Sequence, residues 1–248
     1  MRIIFSRKGF DSASGGGPSP IVQGRPLSLP IPSSGHSATS YADLGLGQYA
    51  EIASRGRVRA SDPCHHDPMF LDDGTCLFGQ CGAAQTHLRN QGVREGDVFV
   101  FFGLFRDEGK GAPHHRIFGY LEVDRIIDLA TCSSAEREAF AAHKHPHALG
   151  MYARNDTIYC GKGRAAQNAS PELCLTAPGG PPSLWQRPDW LRPGELSYHD
   201  RADRWRDANQ LQSVARGQEF VAPIGRRQKP RKWLEKVIHR IIAQPSRK

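Results

Sequence analysis

Two dense β-forming runs constrain the fold of this chain more than anything else in it: DVFVFF at 97–102 and IFGYLEV at 117–123. β-Branched and aromatic residues of this kind suit a pleated, buried surface better than a short helix. A polar connection at 106–115, carrying Gly109, Gly111 and Pro113, separates the two runs. They read as the clearest pair of strands in the chain. Shorter strands are predicted at 1–5, 157–160 and 173–176, and an edge strand at 26–31, where prolines flank and interrupt the run. A short helix is expected near 46–54, another over 82–90, stopped by Gly92, and a further helical stretch at 202–212. Ser133-Ser-Ala-Glu136 is a capping box and opens a helix to about 143. The stretches 33–62 and 60–75 are polar and turn-dense, and 178–200 is Pro-rich. The mix predicts an α+β fold: one loop-rich domain, with a mostly antiparallel or mixed sheet flanked by helices.

The chain's 248 residues, 38% of them hydrophobic, suffice for a sizeable core, while 26 Gly and 18 Pro demand many irregular connections. No apolar stretch reaches the roughly 18–20 residues that cross a bilayer, and no secretory apolar region follows Met1, so we expect a cytoplasmic protein that makes no use of membranes. The sequons at Asn155 and Asn168 are then chance matches. The six cysteines include no C-x-x-C pair, which argues against a zinc ribbon, a redox dithiol and the zinc-deaminase signature.

The net charge of +8 is concentrated at one end. Residues 226–248 hold nine cations against the single acid Glu235, a surplus equal to the whole net charge. Trp233, Leu234, Val237, Ile238, Ile241 and Ile242 recur at helical spacing there, predicting an amphipathic helix and tail packed on a 1–225 domain. Arg226, Arg227, Lys229, Arg231 and Lys232 are the candidate DNA-backbone contacts, since a basic cluster is an electrostatic footprint for a polyanion. A solvated helix face is the plainer alternative.

Chemistry-bearing residues gather in four places. SRKGFDSASGGGPSP at 6–20 follows the first predicted strand directly. It lacks both the dinucleotide and the P-loop glycine patterns. Arg7 and Lys8 could hold phosphate, Asp11 is an acid beside flexible chain, and Ser14, Gly15 and Gly16 allow close approach of backbone N–H groups to an anion. A slack linker would have no need of RKGFD directly against an apolar strand. Cys64-His-His-Asp67 offers four ligand types, but consecutive ligands converge poorly on one ion and no complementary pair lies at the usual spacing. We expect no metal there, and instead a polar pocket wall with His66 or Asp67 facing a ligand. His143, His145 and His147 alternate around Pro146 and read as a surface loop. Gln80, Gln85, Arg89 and Asn90 carry the side chains used for base edges and phosphates, with Gln85 and Arg89 sharing a helix face.

Three stretches, MRIIFSRKGFDSASGGGPSPI, FGQCGAAQTHLRNQGVREGDVFVFFGLFR and HHRIFGYLEVDRII, resemble the nucleotide-modification-associated domain family of type 3. The likeness is strong over 1–128 and looser beyond. It implies a bacterial or phage protein linked to hypermodified DNA bases, in modification or anti-phage systems, and a neighbourhood in which a defence-type DNA glycosylase is found. A local likeness of the two central strands to PUA-like domains implies a barrel core that grips modified bases.

On that resemblance, the expected activity is hydrolysis of the N-glycosidic bond of a flipped, modified base, such as a glycosylated one in phage DNA, leaving an abasic site. Asp11 is the preferred catalytic carboxylate and Asp67 the second. Arg7 and Lys8 would take phosphate, while Gln85, Arg89 and Asn90 would read the base or a sugar on it; Gln80 and His66 complete the expected substrate contacts. No cofactor is expected. The alternative is a non-catalytic PUA-like reader of modified bases, and RNA stays open as a partner through the basic C-terminal helix.

Overall fold

Strand alternation sets the architecture. In a computed structural model of the chain, residues 1–33, 35, 37–108, 111–150, 154–206, 209–215 and 219–244 are described. Gly109 of the predicted connection, with Arg247 and Lys248 of the basic tail, lies outside them. In chain order the elements are β1 (Arg2–Arg7), β2 (Ser19–Val22), β3 (Arg25–Pro26), α1 (Gly47–Ser54), β4 (Met69–Phe70), β5 (Thr75–Gln80) and α2 (Gly82–Asn90). There follow β6 (Val98–Asp107), β7 (His114–Asp128), α3 (Ser134–Ala142), β8 (Thr157–Ala165), β9 (Leu184–Gln186), β10 (Trp205–Arg206), β11 (Gln210–Gln212), β12 (Glu219–Pro223) and α4 (Gln228–Ile242).

The main sheet runs β12-β1-β6-β7-β8-β5-β4, with β2 and β3 joined beside β6, and it curls into a half-barrel. β1 and β2 lie parallel to β6, and the remaining pairs are antiparallel. A small second sheet has the order β10-β11-β9. The fold is α+β and forms a single domain.

Ile3, Phe5, Val98, Val100, Phe102, Phe220 and Ala222 turn to one core, which Trp185 and α4 close. The residues between them, Ile4, Phe99, Phe101 and Val221, turn to the other, with Phe78, Tyr159 and Leu88 of α2. Because both faces are buried, these strands read as near-continuous apolar runs rather than alternating ones. α4 buries Leu234, Val237 and Ile241 on the first core, and its Trp233 ring lies 5.8 Å from Phe5 and 5.4 Å from Trp190.

The expected helices at 46–54 and 82–90 form as α1 and α2, and the Ser133–Glu136 capping box opens α3 with both reciprocal bonds present. Other expectations need correction. β6 and β7 extend into the predicted 106–115 connection, paired as far as Phe105 and His114. The 60–75 loop gives way to β4 and the start of β5. The 26–31 edge strand shrinks to β3, while 173–176 forms single bridges rather than a strand. The 202–212 stretch is a short 3-10 turn followed by β10 and β11, not a helix. No helix among the described residues is long and apolar enough to cross a membrane.

Candidate functional site

β1 carries its apolar residues through the centre of the sheet and ends in Ser6 and Arg7, so polar side chains emerge at the edge of a buried core. The register of β1 with β12 sets Ser6 opposite Glu219. That glutamate is buried at 1% exposure. Its Oε1 accepts from Ser6 Oγ at 3.0 Å, Lys8 Nζ at 2.9 Å and Gln80 Nε2 at 2.9 Å. Its Oε2 is buried and has no hydrogen-bond partner among the described residues. Lys8 also lies 4.4 Å over the Phe78 ring, a cation–π contact that further fixes its ammonium.

Above this cluster opens a cavity of about 580 Å³, within the size range of small-molecule sites. From the end of β1 and the loop after it the cavity takes Arg7, Lys8, Asp11 and Ser14; from elsewhere in the chain it takes His65, Asp67, Gln80, Cys81 and His147. Asp11 is held rigidly: its Oδ1 accepts the N–H groups of Ala13 and Ser14 at 2.8 and 2.7 Å, and its carbonyl accepts from Gly16.

The second polar cluster centres on Asp67, whose side chain is 2% exposed. Oδ1 accepts from the Gly79 N–H at 2.9 Å. His145 Nε2 stands 3.5 Å from Oδ1 and His65 Nε2 3.6 Å from Oδ2. Burial would raise the Asp67 carboxyl, but the polar contact and charge of His145 and His65 outweigh it and hold the group well below the usual carboxylate range. Burial pushes the His145 imidazole down, opposed by Asp67. His147 Nδ1 lies 3.1 Å from Asp156 Oδ1. A Cβ on Gly79 would sit 2.1 Å from His147 Cδ2 and 2.7 Å from its Nε2, so only glycine lets this ring lie against β5.

Of the residues singled out in the sequence, Arg7, Lys8, Asp11, Ser14, Asp67 and Gln80 line this cavity. Several of their expected roles change. Arg7 donates to the carbonyls of Ala215 and Val214 and lies over Phe102 and Phe220, so its guanidinium braces the fold rather than standing ready for phosphate. Lys8 is committed to Glu219 in the same way. Gly15 and Gly16 do not line the cavity: Gly15 lies against the Phe10 ring and Gly16 against the Arg57 guanidinium, at φ of +82° and +88°. Of the N–H groups expected to cradle an anion, that of Ser14 is taken by the Asp11 carboxylate and that of Gly16 by the Asp11 carbonyl.

His66 lies beside the cavity lining but outside it, with its imidazole pushed down by burial. Gln85 is buried, its Oε1 accepting from Tyr159 Oη at 2.9 Å, and Arg89 and Asn90 are exposed at the far end of α2. None of the three reaches the cavity. In the basic segment, Arg226, Lys229 and Lys232 are exposed. Arg227 pairs with Glu195 at 2.7 Å, and Arg231 donates to the Gly225 carbonyl.

A family model described as nucleotide modification associated domain 3 matches residues 2–223. The chain belongs to this family. No curated protein and no solved structure matches it. The family match runs from the first residue of β1 to the last of β12, so it takes in the whole main sheet and every residue lining the cavity, while α4 follows it. Membership associates the chain with modified nucleotides and points to nucleic acid as its partner.

In this nucleotide modification associated domain, sequence reasoning missed Glu219, Cys81, His65 and, above all, His145 and His147. The two histidines expected on a surface loop are 0% and 5% exposed. The available signal was Pro146 between two histidines in an otherwise apolar PHAL turn, a compact 3-10 segment able to pack inward. Glu219 offered a weaker one, an acid opening the apolar run EFVA.

Proposed function

We propose that the cavity receives a modified nucleotide flipped out of DNA and that the protein hydrolyses its N-glycosidic bond. The observation behind this reading is that Asp11 and Asp67 line one nucleotide-sized cavity within the family-matched segment. A duplex hides the bond from any side chain, so the base must leave the stack to be cleaved. As the C1′–N bond breaks, its electrons leave with the base and positive charge develops on the deoxyribose. Asp11, fixed by its own turn, stabilises that charge and takes a proton from the water whose oxygen bonds to C1′. The departing base takes up a proton and an abasic site is left. Asp67, ionised and hydrogen-bonded deep in the wall, adds negative potential. Gln80, its amide oriented by Glu219 and by the Cys81 N–H, contributes a polar edge at the cavity surface.

The substrate class is DNA with hypermodified bases of the kind found in phage genomes, and removing such a base is a defence reaction. Arg226, Lys229 and Lys232 are the exposed cations offered to the duplex phosphates. Mass spectrometry of bases released from DNA carrying glycosylated bases tests the reading. Free modified base and abasic sites are expected, absent with unmodified DNA and lost in Asp11→Asn. Binding of modified DNA by both proteins with no base released by either would instead assign the cavity to a non-catalytic reader.

A further inference from the structure

We propose that His65, Asp67 and His147 form a binding site for a first-row divalent metal ion, zinc or a near neighbour, with open coordination positions facing the cavity. The site stands on its own geometry and does not need the N-glycosidase reading.

One donor atom from each of these three residues lies within 4.8 Å of the other two. His65 Nε2 and Asp67 Oδ2 are 3.6 Å apart, too long for a good hydrogen bond. Two ligands held about 2.1 Å from one ion at tetrahedral angles are separated by roughly 3.4 Å, so that distance suits a shared cation. Two imidazoles and one carboxylate are a donor set that first-row metals favour over calcium or magnesium. Three protein ligands leave positions for water or substrate, the pattern of catalytic rather than structural sites.

The surroundings hold each ligand in place. The contact of His147 Nδ1 with Asp156 Oδ1 orients the imidazole and makes its other nitrogen a better ligand, the carboxylate–histidine support that metal-binding histidines commonly have. Gly79 removes the side chain that would displace this ring, and its N–H anchors the Asp67 oxygen remote from His65. His145, fully buried against that same oxygen, backs the carboxylate from behind. The Cys81 thiol groups with His147 and Asp156 nearby and offers a softer donor at the rim.

The ligands come from 65–67 and from the 3-10 turn at Pro146–Leu149, some 80 residues later. Across that separation no local ligand spacing around Cys64–Asp67 supplies the complement; the fold does.

The test is equilibrium dialysis of chelator-treated protein against zinc chloride and, separately, manganese chloride, with the bound ion measured by elemental mass spectrometry. Saturable binding of one ion per chain is expected. His65→Ala and His147→Ala should each weaken it by about 100-fold or more, and Asp156→Asn by about 10- to 100-fold. His66→Ala and Asp11→Asn should bind as the wild type does. The Asp11 variant thereby separates this site from the hydrolytic reading, since it loses base release and keeps the ion. Each variant's metal-free melting temperature and circular dichroism report whether it folds. His65→Ala, at a partly exposed position, is the safest, and zinc should raise the melting temperature of the wild type but not of this variant. Absence of saturable binding in the wild type, or equal binding in folded His65→Ala and His147→Ala, would overturn the proposal.

Discussion

Two of the carboxylates buried beside the cavity, Glu219 and Asp67, are treated in opposite ways. Glu219 receives three donors on one oxygen at 2.9–3.0 Å, one of them the Lys8 ammonium. Asp67 receives one backbone N–H at 2.9 Å, while its two flanking imidazoles stand off at 3.5 and 3.6 Å. Contact-distance donors make the first a closed tie between β1, β5 and β12. The looser second cluster opens on the cavity and has room for something to bind. Burial alone therefore does not mark a functional acid; the slack around it does.

That contrast can be broken by substitution. Glu219→Ala removes the partner of a nearly buried ammonium and should cost about 3–5 kcal/mol of stability in urea unfolding. Asp67→Asn, which keeps an acceptor for the Gly79 N–H, should cost no more than about 1–2 kcal/mol. Equal losses would erase the distinction between tie and site.

Acid should act first on buried imidazoles outside both clusters and on Asp67 only later. His199 is held down to about 4, mainly by burial, and His115 to about 3 for the same reason. The unfolded chain therefore binds protons near pH 6.5 that the native state refuses. Stability is full above that pH and falls as pH drops towards 4, by about 3 kcal/mol from His199. Asp67, with its folded pKa depressed, contributes stability above about pH 4 that is lost only on further acidification. Denaturant melts from pH 7 to pH 3 should show the two windows, and His199→Gln should flatten the upper one.

Gly79→Ala pushes a methyl group into the His147 ring and should cost about 1–3 kcal/mol as the ring shifts, with base release falling more than stability predicts. The smallest effect belongs to the surface. Lys229→Gln with Lys232→Gln should change stability by less than about 0.5 kcal/mol. If these cations meet duplex phosphates, the slope of log affinity against log salt should fall by about 0.9 for each contact removed. An unchanged slope would assign α4's charge to solvation alone.

The fold was legible wherever the information was local. Val98–Phe102 and Ile117–Val123 announce their strands by composition, Ser133 and Glu136 announce α3 by a cap, and the doublet spacing from Trp233 to Ile242 announces α4. β5 and β12 were not read, because TCLFGQ and EFVAP are short runs whose strand character comes from neighbours far off in sequence, β8 and β1. The site divided in the same way. Arg7 at the end of β1 and Lys8, Asp11 and Ser14 just after it are neighbours in sequence, so local reading brings them together. His147 reaches the cavity, and Glu219 the cluster beneath it, only through the sheet's long-range order. Gly15 and Gly16 lie outside the cavity lining because glycine serves close packing against Phe10 and Arg57 as readily as it serves a ligand.

The N-glycosidic assignment is tested most directly by incubating DNA that carries glycosylated bases with wild-type protein and with Asp11→Asn, and quantifying free base and abasic sites by mass spectrometry. Release by the wild type, and a loss of at least about 100-fold in the variant, are expected. Intact modified DNA with the wild type, or equal release by the two proteins, would contradict the role given to Asp11 and to the cavity.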